Sequence, residues 1–66
     1  MSELKPIRLL NTAELEDRVK YTRVHIWRLE QRNLFPKRVR LGAGRVAWLE
    51  DEVDKWLRQR VAERDV

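Results

Sequence analysis

Cysteine is absent from the 66 residues, so no disulfide can staple the fold and no thiolate can hold a metal; the redox compartment is left open. The single histidine, His25, has no second histidine or cysteine to share a metal, and no metal site or cofactor is expected. No apolar run approaches the roughly 20 residues of a membrane span, and no signal-peptide pattern opens the chain. The expectation is therefore a soluble cytoplasmic protein without a membrane partner. No Ser/His/Asp, Cys/His or phosphate-loop arrangement is present. A chain this short forms one domain, residues 1–66, and buries only about 60% of its unfolded surface. A substrate pocket would consume much of so small a core, and the chain is not expected to be an enzyme.

Acidic residues are also missing where basic ones concentrate. Residues 20–45 hold eight bases, Lys20, Arg23, Arg28, Arg32, Lys37, Arg38, Arg40 and Arg45, against the single acid Glu30. That segment alone exceeds the net charge of +4 of the whole chain, because both flanks are slightly acidic. A surface evolved only for solubility mixes its signs, so the basic block points to an anionic partner.

Within the block, residues 22–33 have the pattern of a short amphipathic helix. At 100° per residue Ile26, Leu29 and Asn33 share one side, while Arg23, Val24, Trp27, Arg28 and Gln31 share the other. Thr22 suits the N-cap, Asn33 suits the left-handed position beyond the end, and Pro36 forbids continuation. Before it, Asn11, Thr12, Ala13 and Glu14 match a capping box, with Leu15 and Val19 one turn apart facing inward. Two short helices separated by a tight turn, the second with a basic outer face, outline a helix-turn-helix. The usual glycine of that turn is replaced, with Lys20 near its place.

Residues 7–10 alternate weakly and are expected as an extended segment against the core. Charged and apolar residues alternate in residues 37–41 and again in residues 45–48, around Gly42-Ala43-Gly44, predicting a β-hairpin. Val39, Leu41, Val46 and Trp48 are expected to face the core, leaving Arg38, Arg40 and Arg45 as a basic edge. Glu50, Asp51 and Glu52 mark the start of a third helix, where acids complement the dipole. Leu49, Val53, Trp56 and Leu57 supply its apolar side, and Trp48 and Trp56 are expected in the core. Residues 1–6 and 62–66 are expected as mobile tails.

This order of elements, with Leu34-Phe35-Pro36, Gly42-Ala43-Gly44-Arg45 and Trp48-Leu49-Glu50 followed by Glu52-Val53 and Trp56-Leu57, resembles the AlpA family of prophage-encoded DNA-binding regulators. That family is similar in fold to phage excisionases and to the DNA-binding part of MerR-type regulators. The resemblance spans residues 7–60, and Ile26-Trp27-Arg28-Leu29 and Phe35-Pro36-Lys37 are among its most specific pieces. It implies a mainly α fold with a small β-hairpin, a winged helix-turn-helix of order helix, helix, hairpin wing, helix. It also implies that the second helix enters the major groove of double-stranded DNA through Thr22, Arg23, Val24, His25, Trp27 and Arg28, and that Gly42, Gly44 and Arg45 form the wing tip. Lys20, Tyr21 and Trp27 depart from the family pattern and bear on sequence preference.

Arg23 and Arg28 suit either a guanine edge or a phosphate clamp. Trp27 suits either stacking on a sugar or thymine methyl, or packing under the wing. His25 suits a phosphate contact or a plain polar surface. Lys37, Arg38, Arg40 and Arg45 suit phosphate neutralisation, and Arg45 is the candidate for a narrow minor groove. The leading expectation is a sequence-specific transcriptional regulator of prophage or mobile-element type. The alternatives are an excisionase-like factor that bends attachment-site DNA beside a phage-type integrase, and a protein-interaction module or anti-repressor docking through Trp27. So small a domain reads few base pairs, so a dimer or repeated copies are expected. The third helix is the candidate surface, although it offers no apolar seam.

Overall fold

The computed structural model describes residues 6–64, in the order β1 (Leu9–Leu10), α1 (Thr12–Val19), α2 (Arg23–Gln31), β2 (Val39–Gly42), β3 (Arg45–Leu49) and α3 (Glu50–Ala62). Three helices surround a small antiparallel sheet of strand order β1-β3-β2. This is the winged helix-turn-helix arrangement, with β2 and β3 as the wing. No helix among the described residues is long and apolar enough to cross a membrane.

The capping box closes as the sequence predicts. Asn11 Oδ1 accepts from the Glu14 N–H at 2.8 Å while Glu14 Oε1 accepts from the Asn11 N–H at 2.9 Å, satisfying two donors that helix geometry leaves unpaired. α1 then buries Leu15 and Val19 and stops at Lys20, whose φ of 66° lies in the left-handed region. Its N–H still reaches Glu16 O at 2.8 Å. The position usually filled by glycine thus keeps its left-handed geometry with a lysine in it.

α2 begins two residues later on the Thr22 cap, whose Oγ1 accepts from the His25 N–H at 3.2 Å. It ends in a Schellman motif: Asn33 takes a φ of 59°, the Leu34 N–H bonds Leu29 O at 2.9 Å and the Asn33 N–H bonds Glu30 O at 3.0 Å. Ile26 is its one fully buried side chain.

The core gathers Leu10, Leu15, Val19, Ile26, Phe35, Trp48 and Val53, with Tyr21, Leu29, Val46, Trp56 and Leu57 packed against it. Every element except β2 contributes to it. The lead-in at residues 7–10 becomes a third strand, pairing Leu9 with Leu49 and Leu10 with Trp48, and the Glu50 N–H donates to Arg8 O at 2.9 Å.

The hairpin departs from the expected alternation. Val39 lies opposite Ala47 and Arg40 opposite Val46, so Val39 and Val46 occupy opposite faces. Leu41 is an extra residue between the Arg40 and Gly42 pairs, a bulge, and is 52% exposed rather than buried. A bulge shifts side-chain parity by one, which a reading based on strict alternation cannot register. Ala47, not Leu41, is buried.

α3 carries Glu50, Asp51 and Glu52 in its first turn and continues through Ala62, beyond the start of the expected tail. The Glu63 N–H returns to Gln59 O at 3.1 Å, and Arg60 pairs with Glu63 at 2.7 Å. The rest of the tail expectation, at residues 1–5 and 65–66, lies outside the described residues.

Candidate nucleic-acid interface

α2 is held at both ends by side chains of neighbouring elements. At its N-terminus Glu16 of α1 accepts from the Arg23 N–H at 2.7 Å, so two first-turn donors are taken, one by Glu16 and one by Thr22. Tyr21 stacks flat on His25 with ring centres 4.1 Å apart and meets Trp56 edge-on at 6.2 Å, tying the helix-turn-helix corner to α3. Trp56 also packs edge-on against Phe35 at 4.8 Å and donates its indole N–H to Leu34 O at 2.8 Å. Arg18 completes the frame by binding Glu50 at 2.9 Å and Asp54 at 2.6 Å, joining α1 to α3. The hydrogen bond to Glu50, and then that to Asp54, raises the guanidinium pKa above its usual value.

Glu30, the lone acid of the basic block, turns inward. Its side chain is 8% exposed; Oε1 accepts from Arg38 Nε at 2.9 Å and Oε2 from the Trp48 indole N–H at 2.7 Å. The Arg38 guanidinium also lies over the Trp48 ring, 5.1 Å from its centre. One largely covered carboxylate thus fastens α2 to β3 and to the residue that opens the wing. On the helical wheel Glu30 is about 40° from Ile26 and about 20° from Arg23, at the border between the two sides, and there it serves as acceptor for the Trp48 indole N–H.

With Glu30 paired to Arg38 and its side chain only 8% exposed, the outward surface of residues 20–45 is carried mainly by basic and neutral side chains. Arg23, Val24, His25, Trp27 and Arg28 are all exposed on α2, Trp27 by 51%. The wing turns at Ala43 and Gly44, with φ of 50° and 75°, the condition for a type I′ turn, following Gly42 at 95°. A side chain at either glycine would meet nothing within 4 Å, so the backbone conformation, not space, calls for glycine there.

Helix and wing face each other across two hollows. One, of about 430 Å³, lies between Arg23, Val24 and Trp27 of α2 and Gly44 and Val46 of the wing. The other, of about 410 Å³, lies between Trp27, Glu30 and Gln31 of α2 and Lys37, Arg38 and Arg40. Trp27 and Arg38 line both. Arg40 and Arg45 meet beside Gly42 and Gly44 at a third, smaller hollow. The structure thus brings together most of the residues singled out from the sequence. Thr22 is used as the helix cap, His25 is stacked on Tyr21, and Arg28 projects from α2 without lining these hollows. Among the described residues no cluster of His, Asp and Glu is arranged to hold a metal ion.

The family model for the prophage CP4-57 regulatory protein (AlpA) matches residues 8–61. The chain belongs to the AlpA family. No curated protein and no solved structure gives a match. The match to AlpA runs from the residue before β1 to the last turn of α3, so it takes in the whole helix-turn-helix, the wing and the Glu30 clasp. Membership makes this chain a prophage regulatory protein, in a family of regulators and not of enzymes.

Proposed function

We propose that this AlpA-family chain is a transcriptional regulator that binds duplex DNA sequence-specifically. In this reading α2 lies in the major groove and the wing rests on the adjacent backbone and minor groove. The observation that carries it is the basic surface shared by the exposed side of α2 and the wing across common hollows, where the one acid, Glu30, is 8% exposed and paired with Arg38. Such a surface favours a polyanion, and the gap between helix and wing accepts a strand of its backbone.

Arg23 and Arg28 reach base edges, where each bidentate contact to a guanine is worth about 1–3 kcal/mol of discrimination. Because Glu16 and Thr22 already occupy first-turn donors of α2, side chains and not the helix terminus make the decisive contacts. Trp27 and Val24 lay apolar surface against sugars or thymine methyl groups, and His25 bonds a phosphate at the helix flank. Lys37, Arg38 and Arg40 neutralise phosphates. Arg45 enters the minor groove beside the Gly42 and Gly44 turn, whose lack of side chains lets backbone approach backbone. Two or more copies on repeated sites supply the specificity that one copy lacks.

Dimethyl sulfate protection on a bound fragment tests this reading. Guanines protected at N7 in patches about one helical turn apart are expected. Unchanged reactivity along a demonstrably bound fragment contradicts a helix in the major groove.

A further inference from the structure

Glu30 sits in an unfavourable place for a DNA-binding surface unless it does something there. A carboxylate among eight bases lowers the attraction to a polyanion, and burial takes it out of water as well. Each of its two oxygens accepts a hydrogen bond, one from Arg38 Nε and one from the Trp48 indole N–H. A guanidinium has five N–H donors in a rigid fork, and this contact uses the Nε–H alone. The four N–H donors of the outer fork remain, and Arg38 lines the hollow next to Lys37, Arg40 and Trp27, a hollow that Glu30 lines as well, its charge already paired with Arg38. With one edge bonded to Glu30 and one face resting on Trp48, the guanidinium is restrained before any ligand arrives. Its side chain is still 29% exposed, so the free edge is reachable.

We propose that Glu30 is a positioning residue that orients Arg38 so that its outer edge, together with Lys37 and Arg40, seats one backbone phosphate of DNA between α2 and the wing. This rests on the DNA-binding reading above and assigns Arg38 a specific place within it. An arginine fixed on one side by a carboxylate offers the fork geometry that a phosphate accepts through two oxygens, with little rotamer entropy left to lose.

The sign of one substitution separates this from simple electrostatics. Glu30→Gln removes a negative charge from a basic surface, so charge alone predicts tighter, more salt-sensitive DNA binding. Orientation of Arg38 predicts the reverse: affinity about tenfold weaker at moderate salt, with the slope of log K against log salt shallower by about one unit. Binding of the full chain to a fluorescent duplex, measured over a salt series alongside circular dichroism of each variant, reads both. In an Arg38→Ala background Glu30→Gln should cost nothing further. Should Glu30→Gln fail to fold, Arg38→Lys carries the test. It keeps the charge but cannot bond Glu30 along one edge and present a fork along the other, so it should bind about as weakly as Arg38→Ala. Glu30→Gln binding as tightly as the wild type or tighter, or Arg38→Lys binding like the wild type, overturns the positioning role. Wild-type protein without salt-sensitive DNA affinity would instead overturn the DNA-binding reading itself.

Discussion

Replacing Lys20 with glycine should stabilise the domain. Lys20 holds a φ of 66°, where an L side chain crowds the following carbonyl at a cost of about 1–2 kcal/mol that glycine escapes. Glycine brings back roughly 0.5–1 kcal/mol of unfolded-chain entropy, so the net gain is about 0.5–1 kcal/mol. Among the described residues the side-chain interaction lost is the 3.4 Å pair to Asp17, in which both side chains are more than three-quarters exposed, so it contributes little. For a domain of this size the gain raises the melting temperature by about 2–8 °C. Thermal and urea unfolding followed by circular dichroism, with Lys20→Ala as the reference, gives the answer. Lys20→Ala loses the same charge but keeps the strain, so the difference between the two isolates backbone conformation. A Lys20→Gly variant no more stable than Lys20→Ala would refute the reasoning.

Thr22→Ala should cost about 1 kcal/mol by leaving the His25 N–H without its cap, seen as a lower urea midpoint at unchanged slope. Leu15→Ala removes a fully buried side chain and should cost about 2–5 kcal/mol, enough to leave this small domain largely unfolded at 37 °C by circular dichroism.

The helix termini were legible because their chemistry is local. Asn11, Glu14, Thr22 and Asn33 each act within four residues of their own position, and all four do what their types predict. The basic face of α2 was legible from its 3.6-residue period, and Trp48 as core from its size and surroundings. Long-range pairing was not. Leu9 and Leu10 have too short a run to announce a strand and become one because β3 offers Trp48 and Leu49 as partners. The bulge at Leu41 arises where the left-handed turn joins the ladder, and it leaves Leu41 exposed. Glu30 was counted as one surface charge against eight, because its place on the helical wheel, between Ile26 and Arg23, does not tell which way its side chain turns. In the candidate interface the members could be named from charge and exposure. What could not be foreseen was that Arg38 is restrained by Glu30 and that Trp27 divides two hollows while staying half exposed.

The central claim is that the exposed side of α2 selects a DNA sequence while the wing contributes charge. Titrating wild-type, Arg23→Ala and Arg45→Ala proteins against labelled genomic fragments flanking the gene, at two salt concentrations, tests it most directly. Fragment-selective binding that weakens steeply with salt is predicted, with Arg23→Ala losing selectivity and Arg45→Ala losing affinity on all fragments alike. Weak binding without preference among fragments, unchanged in both variants, would contradict it and mark the basic face as a solvated or protein-docking surface.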